Sequence, residues 1–177
     1  RESFRDIYVQ KVDANGNILW QANGIPVAQT YGRQEDPLLA SDDQGGAFIV
    51  WIDYRDEPDT QGDVYAQHIL SDGTLVWDAS GFPIVLKPGK QWAPNMCKDG
   101  EGGAYIIWKD ETFGQFDRVY ASHISFDNNV IAPNEGIPII ANNTSSHPSI
   151  SLETDGNGVF VINGDAGFVT GCLDSQN

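Results

Sequence analysis

The chain has 177 residues, enough for a sizeable core, and 40% of them are apolar, which excludes a disordered polymer. Its 25 acidic residues outnumber 10 basic ones, for a formal net charge of -15, so its surface repels phosphate backbones and anionic lipid heads. Nucleic acid is therefore excluded as a natural partner, and no apolar run approaches the roughly 20 residues that would insert into a bilayer. With 19 Gly, 9 Pro, many β-branched and aromatic residues and no long stretch of helical spacing, the composition predicts an all-β fold.

The chain opens Arg1-Glu2-Ser3-Phe4, without an initiator Met or a signal peptide, and reads as a processed product or an excerpt of a longer chain. From Asp6 it repeats itself. The segment DIYVQKVDANGNILW (Asp6 to Trp20) returns as DVYAQHILSDGTLVW (Asp63 to Trp77) and, more altered, as RVYASHISFDNNVIA (Arg118 to Ala132). Tyr8, Tyr65 and Tyr120 are in register, 57 and then 55 positions apart. Each copy continues into a short apolar piece containing Pro26, Pro83 or Pro138. Each then closes on a strand that aligns Gly46, Gly103 and Gly158, and Phe48, Tyr105 and Phe160.

Within a copy, period-2 alternation puts Tyr8, Gln10 and Val12 on one face of the first strand and Ile7 and Val9 on the other. Bulk on both faces predicts a strand covered on both sides. An Asp/Asn/Gly turn then makes a hairpin into NILW or TLVW, short strands follow at IPVA and PLLA, and QGGAFIVW closes the unit. The expectation is a single repeat domain over 1–177, with copies at 6–62, 63–117 and 118–163, followed by 164–177 as a surplus strand and tail. Four strands in about 55 residues suggest a β-propeller-like blade, three of them left open or closed by oligomerisation, because closed rings usually have four to eight blades. A β-trefoil or β-prism also fits three-fold repetition.

The stretch GGAFIVWIDYRD followed by GDVYAQHILSDGTLVW resembles a repeat common in large secreted and surface proteins of bacteria. Its pattern there is GGxxxxW-x-D-x-R, then D-[IV]-Y-A-Q and an Asp/Gly turn. The resemblance covers nearly the whole chain and implies propeller-like blades and an extracellular or cell-surface location. The third copy departs from it, with Asn163 where the others have Trp51 and Trp108, and Ala132 where they have Trp20 and Trp77. A looser likeness to the Asp-box blades of sialidases lacks the Ser-x-Asp-x-Gly-x-Thr-Trp spacing.

Candidate chemistry is sparse. Asp13, Asn15 and Asn17 open like an oxygen-ligand loop for calcium but lack the later glycine and distant Glu of an EF-hand, and a plain hairpin turn explains them too. The turns at Asp42-Asp43, Asp99 and Asp155 read the same way. Asp53, Asp110 and Asp165 recur identically, which suits turn caps better than an acid/base pair needing unlike surroundings. Arg1, Arg5, Arg33, Arg55 and Arg118 form no obvious trio for a sialidase. His68 and His123 align with Lys11, and neither they nor His147 sit in a metal-binding spacing. No catalytic residue, cofactor or metal is therefore expected, calcium being the one cation the turns raise.

Trp92 escapes the repeat, aligning with Glu35, and is the candidate for stacking on a sugar face. Asn142 and Asn143 form overlapping glycosylation tripeptides. Cys97 and Cys172 are either bridged or two buried thiols. The tail residues Phe168, Val169, Thr170, Cys172 and Leu173 match a fourth copy of the first strand and are the candidate assembly strand.

These features predict an extracellular structural or adhesive repeat protein rather than an enzyme, one that associates with itself, as a fibre subunit built by strand donation. A carbohydrate-binding, lectin-like module with glycan partners is the alternative, and a sialidase-like glycosidase a further one.

Overall fold

The computed structural model describes residues 5–57, 60–112, 118–140, 149–154 and 159–164. These contain strands and no helix. The strands are β1 (Ile7–Val9), β2 (Ile25–Ala28), β3 (Gln34–Ser41), β4 (Ala47–Asp53), β5 (Asp63–Ile69), β6 (Phe82–Val85), β7 (Gln91–Lys98), β8 (Ala104–Asp110), β9 (Arg118–Ile124), β10 (Val130–Ile131), β11 (Ile137–Ile140), β12 (Ser149–Thr154) and β13 (Val159–Gly164).

All pairings are antiparallel. One sheet runs β3-β4-β5-β6, and the next runs β7-β8-β9 with β10 and β11 both on the outer edge of β9. β1-β2 and β12-β13 are two-stranded. Each larger sheet thus takes its first two strands from the end of one sequence copy and its later strands from the start of the next. A periodic sequence leaves that phase open, and strand pairing selects it.

The expected hairpin arms are mostly too short to be strands. NILW and TLVW make single bridges, Val12 to Ile18 and Ile69 to Leu75. The reason is competition for one edge. Val64 to Ala66 pair with β6, which leaves only the end of β5 for the arm. β9 divides its edge the same way, Ile124 and His123 facing β10 and Val119 to Ala121 facing β11.

The two faces of the central sheet pack on different neighbours. Phe48, Val50 and Ile52, with Val64 and Ala66, meet Ala104, Ile106, Trp108 and Tyr120 of the next sheet. Ile49 and Trp51, with Tyr65 and Ile69, meet Ile7, Val27 and Ala28 of the first. Every residue of β5 is buried. The expectation of a strand covered on both sides therefore holds for β5, though not for β1, where Tyr8 is 50% exposed.

In each larger sheet an indole and a phenol on adjacent strands line up with a glycine just before the third. Trp51 stacks on Tyr65 with ring centroids 6.2 Å apart, and Trp108 on Tyr120 at 6.1 Å. Gly81 and Gly136 adopt positive φ (80° and 72°) beside these indoles, where a Cβ would stand 2.4 Å from Trp51 or 2.5 Å from Trp108. Both constraints require glycine. Gly81→Ala and Gly136→Ala are each expected to cost about 3 kcal/mol, from overpacking and left-handed strain together. Urea denaturation would measure this, and a loss under about 1 kcal/mol would contradict the close approach.

Candidate functional site

The chemically distinctive groups lie at the two ends of the larger sheets. At the β3-β4 turn, Asp42 is buried and its Oδ1 accepts the backbone N–H groups of Gln44 and Gly46, each at 2.8 Å. Asp99 does the same at the β7-β8 turn, accepting from Glu101 (2.7 Å) and Gly103 (2.8 Å). The second oxygen of each meets a histidine two strands away: Asp42 with His68 Nε2 at 3.1 Å, and Asp99 with His123 Nε2 at 2.8 Å. Burial raises both carboxyls, but these hydrogen bonds outweigh it and hold them below the usual carboxylate range. The carboxylates expected as turn residues are thus also the partners of the aligned histidines. His68 is stacked on Phe48 at 4.1 Å, and His123 on Tyr105 at 4.5 Å.

At the opposite end, the W-x-D-x-R stretch forms one interlocked unit. Trp51 Nε1 donates to Asp53 Oδ2 at 3.0 Å, and the Arg55 guanidinium clasps the same carboxylate. Arg55 also lies 4.0 Å over the Tyr65 ring and donates to the Ser80 carbonyl at 2.6 Å. The next copy has Thr112 in place of Arg55. There Lys87 takes over two of the three tasks, its Nζ lying 4.8 Å over Tyr120 and donating to the Glu135 carbonyl at 2.7 Å. It leaves the third undone, and the buried Trp108 Nε1 and Asp110 Oδ2 have no hydrogen-bond partner among the described residues. Asp53 and Asp110 are therefore equivalent by position but not in surroundings.

The remaining candidates are dispersed. Asp13 Oδ1 accepts from the N–H groups of Asn15 and Asn17 at 2.8 Å each, and its Oδ2 from the Asn17 amide at 2.8 Å. These bonds hold the Asp13 carboxyl below its ordinary range and make the segment a hydrogen-bonded turn. Among the described residues no group of three or more His, Cys, Asp or Glu could hold a metal ion. Trp92 lies in β7 opposite Lys109, half-buried, with Lys90 and Lys109 Nζ each 4.4 Å from its ring. Its ring is already engaged by two cations. Cys97 is buried. Asn142, Asn143, His147, Asp155, Asp165 and the tail from Phe168 to Leu173 lie outside the described residues.

Two groups escaped sequence reading. Gln67 Oε1 accepts the N–H of Trp77 (3.0 Å) and its amide donates to the Asp78 carbonyl (2.9 Å), pinning the returning arm. Gln10 does the same for Trp20 and Gln21. Their alignment was the available signal. Asp63 is the other: it is fully buried, its Oδ1 accepts from Lys87 N–H at 3.2 Å, and burial pushes its carboxyl up to about 6.

Arg55→Ala would strand the buried Asp53 carboxylate and is expected to cost about 3 kcal/mol by urea denaturation, with Arg55→Lys recovering only part of it. Asp63 works in the opposite sense. Its folded pKa of about 6 lies above the ordinary 3.8, so the folded state binds the extra proton and this contribution to stability declines as pH rises from about 4 to about 6. Asp63→Asn should remove that decline, and a stability difference from the parent chain that does not vary with pH across that window would refute it.

No protein-family model, curated protein or solved structure matches the chain, so its function rests on the geometry of its own sheets.

Proposed function

We propose that the chain is an extracellular structural or adhesive repeat module whose sheets are propeller-like blades and which associates with copies of itself through strand edges. The observation that carries this reading is the exposure of Tyr8. Its counterparts Tyr65 and Tyr120 are 5% and 9% exposed, whereas Tyr8 is 50% exposed. In the larger sheets that tyrosine sits opposite a tryptophan, Trp51 facing Tyr65 and Trp108 facing Tyr120. β1 pairs only with β2 among the described residues, on the side equivalent to the β5-β6 pairing.

The strand equivalent to β4 and β8 is β13, which pairs with β12. Applying the internal register across two copies sets β13 of one against β1 of the other, Asn163 opposite Tyr8. Each copy would then bring two whole sheets and two half-sheets, and a pair of copies closes a six-bladed ring, within the usual range. The same contact, with a rotation that does not close, propagates as a fibre. The fourth copy of the first strand, from Phe168 to Leu173, suits the same β13 edge, so donation of that tail strand is a further route to the same contact. The acidic surface and the resemblance to bacterial surface repeats support an extracellular location.

Light scattering and negative-stain microscopy on the full chain, on Tyr8→Lys and on a chain lacking residues 164–177 test this. Fixed oligomers or fibres are expected for the full chain, and smaller particles with unchanged circular dichroism for the variants. A well-folded monomer that neither change affects would overturn the proposal.

A further inference from the structure

A groove of about 400 Å³ opens between the two larger sheets, beside the Asp42–His68 pair. Its floor is His68, 1% exposed and fixed from both sides, Nε2 to Asp42 of its own sheet and Nδ1 to Asn128 Oδ1 of the next sheet at 2.6 Å. Its walls carry Gln44, Asp72, Phe126 and Asp127. Two of these residues break the repeat. Phe126 occupies the position of Ala14 and Ser71, and its ring is half exposed. Asn128 stands where the other copies have Gly16 and Gly73, and it keeps the left-handed backbone, φ 67°, that those glycines adopt without strain. The strain at Asn128 is offset by its bond to His68, so this position has given up conformational ease for a fixed groove floor.

We infer that this groove is a binding site for a neutral pyranose sugar. Phe126 offers a flat apolar face for the C–H side of a sugar ring. Asp72 and Asp127 each accept hydrogen bonds within their own turns through Oδ1, from Thr74 N–H and Ser125 O–H, and present a further carboxylate oxygen to hydroxyl donors. The Gln44 amide can donate as well as accept. Among the described residues no Lys or Arg lines the groove. The protein places its own cations to either side, Lys11 Nζ at the Gly45 carbonyl (2.6 Å) and Lys98 Nζ at Asp43 (3.3 Å), while the groove itself keeps hydroxyl acceptors. With a net charge of -15 the site disfavours sialic and uronic acids. The volume lies within the range of small-molecule pockets. The inference does not depend on self-association, because every residue invoked belongs to a single chain.

The test is NMR titration of the full chain with the methyl glycosides of glucose, galactose, mannose and N-acetylglucosamine, with glucuronate and tetralysine as further probes. At least one neutral glycoside is expected to bind with a dissociation constant of about 1 mM and to shift the signals of residues around Phe126. Phe126→Ser, which restores the residue of the preceding copy, should weaken it at least tenfold with melting unchanged, and Asp127→Asn should weaken it likewise. Glucuronate should not bind. Failure of every neutral glycoside, equal binding by Phe126→Ser, or shifts at these residues with tetralysine alone would each overturn the assignment.

Discussion

The stack of indole and phenol on adjacent strands, closed by the glycine that enters the next strand, is the contact on which the larger sheets depend. Trp51 and Trp108 are fully buried, and each is bounded by a tyrosine on the neighbouring strand and a positive-φ glycine just before the next. A shift of one residue would turn the indole to the other face and drive a side chain into the space that glycine leaves open. The stack therefore fixes register. The Trp-Asp-Arg interlock at one end of the sheet and the Asp–His pair at the other both require that register to bring their partners within hydrogen-bond distance.

Once register is set, the sheets must still be held face to face, and charged and polar groups share that work with the apolar core. Phe48, Val50 and Ile52 supply the apolar contact with the second sheet. His68 reaches Asn128, and Lys87 reaches the Glu135 carbonyl, so the two sheets are tied at opposite ends. The Lys87 tie shows how a repeat tolerates substitution. When Thr112 replaces the arginine, a lysine from another segment recovers the cation over the tyrosine and the carbonyl contact, because both need only a point charge. It cannot reproduce the bidentate clasp on the aspartate, which needs the planar guanidinium. Trp108 Nε1 and Asp110 Oδ2, unpartnered among the described residues, are the consequence.

Repetition in the sequence also guides where function is to be sought. A residue recurring in every copy is accounted for by the sheet it helps to build, as Asp42 and Asp99 are by their turns and histidines. The roles proposed for this chain fall to residues that break the pattern or lose their neighbours. Phe126 and Asn128 belong to the first class and Tyr8 to the second. Trp92 also breaks the pattern, and Lys90 and Lys109 Nζ each lie 4.4 Å from its ring.

The all-β class, the turns at Asp13, Asp42 and Asp99, and the strands IPVA and PLLA were legible in the sequence. Alternation, turn residues and repetition are local signals that each strand carries within itself. The shortness of the NILW and TLVW arms was not legible, because it arises from two segments competing for one edge of β5. Nor was the phase of the sheets, which a periodic sequence leaves open. The substitution of Lys87 for an arginine, the reach of Asn128 to His68 and the raised carboxyl of Asp63 join or bury groups distant in the chain. Only the tertiary structure decides these, since lateral pairing and burial bring together residues whose spacing in sequence carries no periodic trace.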